Sequence, residues 1–445
     1  MTVAASDALR PAAALRGSLT VPSDKSISHR ALICAALANG KSRISLREPG
    51  EDVWSTIGAL NSLGASLSAV RDGNAVVIEV AGGGSPGAIA QLGPGIADCG
   101  NSGTSMRLLT GVAASGSGQA TLVGDESLSR RPMARVAEPL RQMGAEIVLT
   151  NGRAPIIVRG RRPLRPAHVE LQVASAQLVG AMSFAALAAN GTTSVTVPGV
   201  VRDHTERMLR ALGTDIQRST DTDGLSTITI NGPSALRSFD IHVPGDFSSA
   251  SAWLIAGALH ADAAITIDDV GLNPTRTALV KVLQAMGARV RLNEVYSDDT
   301  GEPIGAIHVR GGEPLKAVTL TGTDIAPLID ELPLLAVAMA GADGTSVVRG
   351  AGELRVKESD RISAIGAAMT SAGAHFEELP DGWRIRRGTP QDAQITTHGD
   401  HRIAMALAVA AWAGVARSVE LDDPDCVAVS YPSFWSDARS IGALA

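Results

Sequence analysis

Residues 175–197 read SAQLVGAMSFAALAANGTTSVTV, and this stretch shows the pattern that decides the fold. A helix of small apolar residues is followed by a polar turn containing glycine, and then by a β-branched run typical of a strand. Similar stretches begin near Ser28, Gly103, Ser175, Ser248, Ile329 and His401. The intervals between these starts are longer than the periods of common solenoids, so we predict six larger repeats.

Each repeat continues with a second, amphipathic helix that ends at a glycine. Glycine is expected there because it readily adopts the left-handed backbone conformation found just past many helices. The six glycines are Gly64, Gly144, Gly213, Gly287, Gly373 and Gly442. In the first five repeats, short alternating runs follow and predict further strands. Because the chain ends soon after Gly442, we expect residues 17–21 to supply the strand that completes the sixth repeat.

Six βαβαββ-like repeats predict an α/β fold with two domains of three repeats each. The middle of the repeat series falls near residues 243–245. A closing strand from the N-terminus would make one of the two domains discontinuous. We therefore expect residues 1–21 and 246–445 to form the discontinuous domain, and residues 22–245 to form the domain inserted into it.

The composition is that of a globular protein whose core is built from small aliphatic side chains. Aromatic residues make up only 3% of the 445 residues, while 45% are apolar, and small side chains let helices pack closely. The net charge of −6 argues against a general nucleic-acid binder. Three scattered cysteines, no signal-peptide pattern and no long apolar run predict a cytoplasmic protein with reduced thiols and no membrane span.

The unusual polar and charged residues gather at the predicted helix starts. A helix N-terminus carries free N–H groups and a partial positive charge, so several such ends directed at one cleft would bind anions. The cations near these starts are Lys25, Arg30, Arg131, Arg202, Lys357, Arg361 and Arg402. We expect the cleft to close when anionic ligands enter it. Ordinary helix capping is the alternative for the polar residues, and a solvated surface position is the alternative for Arg30 and Arg402.

Nine motifs resemble, in order and over nearly the whole chain, those of the 5-enolpyruvylshikimate-3-phosphate synthase family. They are PSDKSISHR (22–30), GNSGTSMR (100–107), RPM (131–133), SAQ (175–177), RDHT (202–205), PGD (244–246), NPTR (273–276), LRVKESDR (354–361) and DHR (400–402). SAQ and RDHT are closer to the bacterial class with glyphosate-tolerant members than to the enterobacterial and plant class. The resemblance implies the enolpyruvyl transferase fold: two inverse α/β domains, each of three βαβαββ repeats, with the active site in the interdomain cleft.

The resemblance also implies a reaction and the residues that perform it. Family members transfer the enolpyruvyl group of phosphoenolpyruvate to the 5-hydroxyl of shikimate 3-phosphate. The residues that match those holding shikimate 3-phosphate are Lys25, Ser26, Arg30, Ser175, Ala176, Gln177, Arg202, Asp330 and Lys357. Those that match the surroundings of phosphoenolpyruvate are Lys25, Asn101, Gly103, Arg131, Gln177, Arg361 and Arg402. We expect a monomer with no metal, no other cofactor, and no nucleic-acid or membrane partner.

Catalysis needs a base, an acid and help for the departing phosphate. Asp330 is the candidate base for the 5-hydroxyl and Glu358 the candidate acid for the C3 methylene, but the sequence does not decide which residue is acid and which is base. Lys25 and His401 are candidates for shuttling protons or stabilising the phosphate as it leaves. Gly103 leaves room for glyphosate, whereas alanine narrows the analogous pocket in tolerant relatives, so we expect glyphosate to inhibit the enzyme.

Other functions stay open at this point. Related enolpyruvyl transferases that act on UDP-N-acetylglucosamine usually carry a reactive cysteine in a mobile loop, and residues 124–131 (GDESLSRR) have none. A non-catalytic metabolite-binding protein, or one domain of a fused pathway enzyme, is disfavoured by the full set of catalytic candidates. Residues 82–87 (GGGSPG) fit a dinucleotide motif, but nearby prolines argue against the long helix that it requires. Residues 427–432 (VAVSYP) lack a lysine that some family members have, so one phosphoenolpyruvate contact is absent or supplied from elsewhere.

Overall fold

The structure is a computed structural model that describes residues 8–73, 75–83 and 95–444. The first seven residues and most of the dinucleotide-like motif at 82–87 lie outside the described residues. The contacts of the described residues divide them into two compact units. Unit 1 holds the residues up to 22, those within 244–296 and those from 303 onward, and unit 2 holds those within 23–243 and 297–302.

The secondary structure alternates between helices and strands along the whole described chain. The strands are β1 (Leu15–Thr20), β2 (Asn39–Arg47), β3 (Ser66–Asp72), β4 (Ala75–Gly83), β5 (Gly95–Asp98), β6 (Gln119–Val123), β7 (Glu146–Thr150), β8 (Arg153–Arg159), β9 (His168–Glu170), β10 (Gly191–Pro198), β11 (Ile216–Thr220), β12 (Leu225–Gly232), β13 (Asp240–His242), β14 (Ala263–Gly271), β15 (Arg289–Ser297), β16 (Pro303–Arg310), β17 (Thr319–Leu320), β18 (Thr345–Val348), β19 (His375–Leu379), β20 (Gly382–Arg386), β21 (Asp392–Ile395) and β22 (Ser418–Leu421). The helices are α1 (Lys25–Leu37), α2 (Glu51–Ser62), α3 (Gly103–Ala114), α4 (Glu126–Ser129), α5 (Ala134–Gln142), α6 (Ala176–Ala186), α7 (His204–Ala211), α8 (Phe247–Leu259), α9 (Ala278–Ala285), α10 (Leu332–Gly341), α11 (Arg361–Ser371), α12 (His401–Trp412) and α13 (Phe434–Ser440). Short 3-10 helices span Gly322–Asp324, Ala326–Leu328, Gly352–Val356 and Pro424–Val429.

The described strands form six sheets, one for each predicted repeat. The strand orders are β13-β2-β4-β3, β5-β6-β8-β7 and β9-β10-β12-β11 in unit 2, and β1-β14-β16-β15, β17-β18-β20-β19 and β21-β22 in unit 1. Every sheet contains one parallel pair with a strand at its edge. A parallel pair needs a crossover connection, and α3 provides one between β5 and β6. The sheets therefore repeat the predicted βαβαββ arrangement, shortened in the sixth repeat.

One predicted pairing is wrong: the N-terminal strand does not complete the sixth repeat. Strand β1 runs parallel to β14, from Leu15 opposite Ala263 to Thr20 opposite Asp268, and so belongs to the sheet of the fourth repeat. Strand β13, which directly precedes the first helix of that fourth repeat, pairs with β2 in the first repeat instead. The fourth repeat therefore lacks its own edge strand, and β1 occupies that position.

The six glycines predicted to end the second helices are confirmed. Each follows the final turn of α2, α5, α7, α9, α11 or α13. Their φ angles are 82° at Gly64, 98° at Gly144, 107° at Gly213, 102° at Gly287, 97° at Gly373 and 84° at Gly442. Because these values lie in the left-handed region, where a side chain costs energy, the backbone selects glycine at this position of every repeat.

The first helices of the repeats are buried and pack closely on one another. Helix α3 contacts α1 and α6 in unit 2, and α10 contacts α8 and α12 in unit 1. A Cβ atom on Gly111 of α3 would lie 2.0 Å from the carbonyl oxygen of Ala181 in α6, so only glycine permits this approach. The small residues seen in the sequence thus let the helix starts, which carry the predicted site residues, lie near each other within each unit.

Two further findings concern membrane spans and the cysteines. Within the described ranges, no helix is both long and apolar enough to cross a membrane. The three cysteines, Cys34, Cys99 and Cys426, are buried and form no disulfide. Burial raises the pKa of the Cys99 thiol to about 12, so this group stays protonated and unreactive at neutral pH.

Candidate active site

The predicted site residues fall into two groups, one in each unit. The unit 2 group consists of Lys25, Ser26, Arg30, Asn101, Gly103, Arg131, Ser175, Ala176, Gln177 and Arg202. The unit 1 group consists of Asp330, Lys357, Glu358, Arg361, His401 and Arg402. Most members of both groups stand at or just before a helix start, where free backbone N–H groups favour negatively charged ligands.

Lys25 is the first residue of α1 and forms an ion pair with Asp52 near the start of α2. The preceding Asp24 caps the helix, since its side chain accepts a hydrogen bond from the Ile27 N–H at 2.9 Å. The Asp52 side chain is buried, whereas that of Lys25 is a quarter exposed. Asp52 therefore restrains the ammonium group while leaving it accessible. Asp52 was not predicted as a site residue, because an acidic residue in a first helical turn resembles an ordinary partner of the helix dipole.

Arg30 is buried and holds two other predicted residues through their carbonyl groups. Its guanidinium donates to the Ser26 carbonyl at 2.9 Å and to the Ala176 carbonyl at 3.3 Å, and its Nε donates to Thr205 Oγ1 at 2.6 Å. Burial outweighs the opposing effect of the Glu206 carboxylate and lowers the pKa of Arg30 to about 10. Arg30 thus keeps its charge at neutral pH, and the alternative of a solvated surface position is wrong.

Arg131 and Asn101 form a second contact in the unit 2 group. Arg131 Nη2 donates to Asn101 Oδ1 at 2.5 Å, and Asn101 Nδ2 donates to Asp125 Oδ2 at 2.6 Å. Asp125 also caps α4 by accepting from the Leu128 N–H at 2.7 Å. The Arg131 side chain is largely buried, so its guanidinium is held in a fixed orientation beside Gly103, the first residue of α3.

Gln177 is oriented by a residue that the sequence analysis did not assign. Arg107 Nη1 donates to Gln177 Oε1 at 2.7 Å, and Gln177 Nε2 donates to Thr104 Oγ1 at 2.9 Å. A Cβ atom on Gly103 would lie 2.9 Å from Arg107 Nη1 and 3.2 Å from Arg131 Nη1. Glycine therefore leaves space for both guanidinium groups at the start of α3. Arg107 is the last residue of the motif at residues 100–107, and its place in that motif could have indicated a role in the site.

Arg361 is the centre of the unit 1 group. It is the first residue of α11 and its side chain is 1% exposed. Its guanidinium lies 2.6 Å from Glu358 Oε2 and 3.8 Å from Asp330 Oδ1. Burial disfavours its charge, but the carboxylates of Asp400, Glu358 and Asp330 outweigh burial and raise its pKa. Arg361 therefore keeps its positive charge, and this charge attracts the carboxylates of both candidate acid–base residues, Asp330 and Glu358.

Asp330 is bound by cations through both its side chain and its backbone. Lys357 Nζ lies 3.5 Å from Asp330 Oδ1, and Arg402 Nη1 donates to the Asp330 carbonyl at 2.8 Å. Asp330 was expected in the first turn of a helix, but α10 begins later, at Leu332. Because the residue lies in the turn that precedes the helix, its carboxylate is half-buried and faces Lys357 and Arg361.

Asp400 links the starts of α11 and α12. Its carboxylate caps α12 by accepting from the Arg402 N–H at 3.0 Å, and it accepts from Ser359 Oγ at 2.9 Å. Burial alone would raise its pKa, but Arg361 outweighs burial and lowers it. His401, the first residue of α12, is buried beside this carboxylate and adds to the lowering. The structure thus brings the whole predicted unit 1 group into one connected cluster.

The described residues contain no group of three or more His, Cys, Asp or Glu side chains placed to hold a metal ion. The stretch 124–131, where related transferases carry a reactive cysteine, contains the short helix α4 and presents arginine and carboxylate side chains. Together the two groups offer arginine, lysine, histidine and carboxylate side chains, which suit the binding of anionic groups and proton transfer.

Comparisons with known proteins agree with this chemistry. A family model described as EPSP synthase (3-phosphoshikimate 1-carboxyvinyltransferase) matches residues 9–437. A 3-phosphoshikimate 1-carboxyvinyltransferase from Limosilactobacillus fermentum is 47% identical over 433 residues, which cover 96% of this chain and 97% of that protein. A solved structure of EPSP synthase from Acinetobacter baumannii superposes with a TM-score of 0.82 at 36% identity and covers 98% of each chain.

The fold extends to a more distant protein. The enolpyruvyl transferase NikO from Streptomyces tendae shares it at 21% identity, with a TM-score of 0.73 over 98% of this chain and 97% of that one. The predicted enolpyruvyl transferase fold is thereby confirmed. The family model covers nearly the whole chain, including all nine motifs on which the resemblance rested. This chain belongs to the EPSP synthase family, the 3-phosphoshikimate 1-carboxyvinyltransferases.

Proposed function

We propose that the two groups of residues carry out the reaction for which the family is named. The chain transfers the enolpyruvyl group of phosphoenolpyruvate to the 5-hydroxyl of shikimate 3-phosphate and releases phosphate. The observation that carries the assignment of residues is the unit 1 group, in which two carboxylates, Asp330 and Glu358, share the buried guanidinium of Arg361. Such a cluster offers a base, an acid and a cation together.

The substrates bind chiefly through their phosphate and carboxylate groups. Shikimate 3-phosphate is bound by Lys25, Ser26, Arg30, Ser175, Ala176, Gln177, Arg202, Asp330 and Lys357. Phosphoenolpyruvate is bound by Lys25, Asn101, Gly103, Arg131, Gln177, Arg361 and Arg402. Support comes from the rigid placement of the guanidinium groups, since arginine binds planar anions through paired N–H groups, and Asn101 already fixes Arg131 in the unit 2 group.

The chemical steps need two proton transfers in the addition and two in the elimination. As the 5-hydroxyl oxygen attacks C2 of phosphoenolpyruvate, Asp330 takes the hydroxyl proton and Glu358 gives a proton to C3, which yields a tetrahedral intermediate with a methyl group. Elimination then returns a methyl proton to Glu358 while the C2–O bond to phosphate breaks. Lys25 or His401 supplies the proton that the departing phosphate takes up, and the hydroxyl proton held by Asp330 then returns to that residue through solvent, which restores the enzyme.

Arg361 also explains how substrate binding would prepare Glu358. The Arg361 guanidinium pairs with the Glu358 carboxylate at 2.6 Å, and a neighbouring positive charge favours the ionised form of a carboxyl group. A substrate carboxylate that binds Arg361 competes with Glu358 for the same N–H groups. Binding of phosphoenolpyruvate would therefore release Glu358 from its partner and let it take up the proton that it donates to C3.

The finer properties of the enzyme belong to the same proposal. The proposed domains are residues 1–21 with 246–445 and residues 22–245, and they match units 1 and 2 apart from residues 297–302 and a shift of one or two residues at the boundaries. The protein acts as a monomer. It works in the cytoplasm, where its buried thiols stay reduced, and glyphosate inhibits it by competing for the surroundings of Gly103.

A phosphate-release assay tests this function. Release should require phosphoenolpyruvate and shikimate 3-phosphate together, and UDP-N-acetylglucosamine should not replace the acceptor. Release with UDP-N-acetylglucosamine would instead indicate the related transferase activity. Binding of both substrates without phosphate release would indicate a metabolite-binding protein and overturn the proposal.

A further inference from the structure

A buried ionic cluster in unit 1 is not used by the mechanism above. Arg276 ends the motif at residues 273–276, and its side chain is 3% exposed. It lies between two carboxylates: Arg276 Nη2 is 3.0 Å from Asp246 Oδ1, and Arg276 Nη1 is 3.8 Å from Glu331 Oε1. The Glu331 side chain is completely buried. Burying two carboxylates around one guanidinium is costly, so the cluster calls for an explanation.

Ser248 connects the members of this cluster. Its hydroxyl accepts from Arg276 Nη2 at 2.8 Å and donates to Glu331 Oε1 at 2.5 Å. Asp246 caps α8 by accepting from the Ser248 N–H at 2.7 Å. The start of α8 and the turn before α10 are therefore tied together through Ser248 and the Arg276 guanidinium.

Glu331 does not stabilise α10 in the way that residues preceding a helix usually do. It occupies the N-cap position, yet its side chain accepts no hydrogen bond from the first turn of the helix. Its Oε2 atom is buried without a hydrogen-bond partner, whereas buried carboxylates kept for stability normally have both oxygens bonded. The side chain instead contacts Ser248 and Arg276, and these contacts restrain the backbone of the turn that precedes α10.

Asp330 and Glu331 are neighbours in that turn and point to different partners. Asp330 faces Lys357 and Arg361, at 3.5 and 3.8 Å, while Glu331 is held by Ser248. The two side chains share one peptide group, so anchoring Glu331 limits how that peptide can rotate. Catalytic groups must be held close to their productive geometry, because a displacement of about 1 Å can cost about 100-fold in rate.

We propose that Glu331, held by Ser248 and Arg276, is a positioning residue that fixes the orientation of Asp330 for proton transfer. The proposal rests on the role given to Asp330 under Proposed function. In this proposal Arg276, in the motif at residues 273–276, binds the Glu331 side chain and does not contact substrate.

The test compares Glu331→Met with Glu331→Gln in the full chain. Removing one partner of a buried ion pair can cost about 3 kcal/mol, so the melting temperature of Glu331→Met is measured first and all kinetics are compared at a temperature at which every variant is fully folded. The kcat of Glu331→Met should fall about tenfold or more while both KM values change by less than about threefold. Glu331→Gln, which still accepts from Ser248, should recover most of the lost kcat. Unchanged kcat in Glu331→Met would overturn the proposal.

A double-mutant cycle separates positioning from a general structural effect. If Glu331 acts through Asp330, then Glu331→Met should change kcat by less than about twofold in an Asp330→Asn background. Effects that multiply would overturn the positioning role while leaving the proposed function intact. Normal turnover in Asp330→Asn itself would remove both the base assignment and this proposal.

The matched control is Glu302→Met, which removes a buried carboxylate in unit 2. Glu302 Oε1 lies 2.8 Å from His204 Nδ1, and both side chains are fully buried. This variant should keep kcat within about twofold, because neither His204 nor Glu302 is a proposed site residue. An equal fall of kcat in the control and in Glu331→Met would show a general effect of removing buried charge and would overturn the proposal.

Discussion

Arg361 holds Asp400 through two parallel hydrogen bonds, from Nε to Oδ2 at 2.8 Å and from Nη2 to Oδ1 at 3.1 Å. Both side chains are almost completely buried. Asp400 caps α12 and Arg361 begins α11, so this ion pair joins the starts of the two helices. Glu358, Arg361, His401 and Arg402 lie at or next to these helix starts. The pair is thus the structural foundation of the unit 1 group.

Asp400→Asn should lower the free energy of unfolding by about 3 kcal/mol at pH 7, the scale for removing one partner of a buried ion pair. The pKa of Asp400 is lowered in the folded state. Its stabilising effect is therefore fully present above the unfolded-state pKa of about 3.9 and is lost as pH falls through the lower folded-state value. Urea unfolding at several pH values should show the two proteins converging at acid pH, while equal stability at pH 7 would contradict the role of the pair.

Arg131→Ala should mainly weaken phosphoenolpyruvate binding. A charge-assisted hydrogen bond contributes about 1.5–3 kcal/mol, so KM for phosphoenolpyruvate should rise about 10- to 100-fold with a smaller change in kcat. Steady-state kinetics with each substrate varied in turn checks this. Arg130→Ala is the matched control, because Arg130 is exposed and forms its ion pair with the exposed Glu126 of α4. Unchanged KM in Arg131→Ala would make Arg131 a structural residue.

Gly103→Ala should reduce inhibition by glyphosate. The added methyl group would press on Arg107 Nη1 at 2.9 Å and on Arg131 Nη1 at 3.2 Å, and both guanidinium groups would have to shift. We expect the inhibitory concentration to rise at least about tenfold, or about 1.4 kcal/mol of lost binding, with a smaller rise in KM for phosphoenolpyruvate. Gly58→Ala in α2 has open space around the new methyl group and should leave inhibition unchanged. If Gly103→Ala is as sensitive to glyphosate as the parent, the proposal that glyphosate binds beside Gly103 is wrong.

His29 should make the protein sensitive to acid. Its ring is buried against Thr56, with Nδ1 2.6 Å from Thr56 Oγ1, and burial lowers its pKa from 6.5 to about 3. Between these values the unfolded chain binds a proton that the folded chain refuses, so stability falls as pH falls. From pH 7.5 to pH 5 the parent should lose about 2 kcal/mol more than His29→Asn. Denaturant unfolding at both pH values tests this, and parallel losses would argue against a neutral buried ring.

The sequence could predict those features that depend on local chemistry. The six glycines after the second helices follow from one backbone conformation, and all six were found with positive φ. The helix starts were predictable because capping residues and small apolar runs mark them, as at Asp24 before α1 and Ser102 before α3. The site residues stand at these starts, so their positions along the chain were predictable too.

Partners that are distant in sequence could not be predicted in the same way. Strand β1 pairs with β14, and β13 pairs with β2, although the strands of all repeats share the same alternating pattern and would fit several sheets. Asp52 resembles any acidic residue in a first helical turn, and its contact with Lys25 exists only because α1 packs on α2. The role of Arg107 likewise depends on the packing of α3 against α6.

The turnover of Glu358→Gln tests the central claim most directly, because the claim is that the cluster around Arg361 transfers protons to and from the substrate. Glutamine keeps the shape of the side chain but cannot donate a proton to C3. We predict a fall in kcat of about 100-fold or more with little change in substrate affinity, while Glu353→Gln, a change in the exposed part of the same segment, keeps normal turnover. Near-normal kcat in Glu358→Gln would contradict the account.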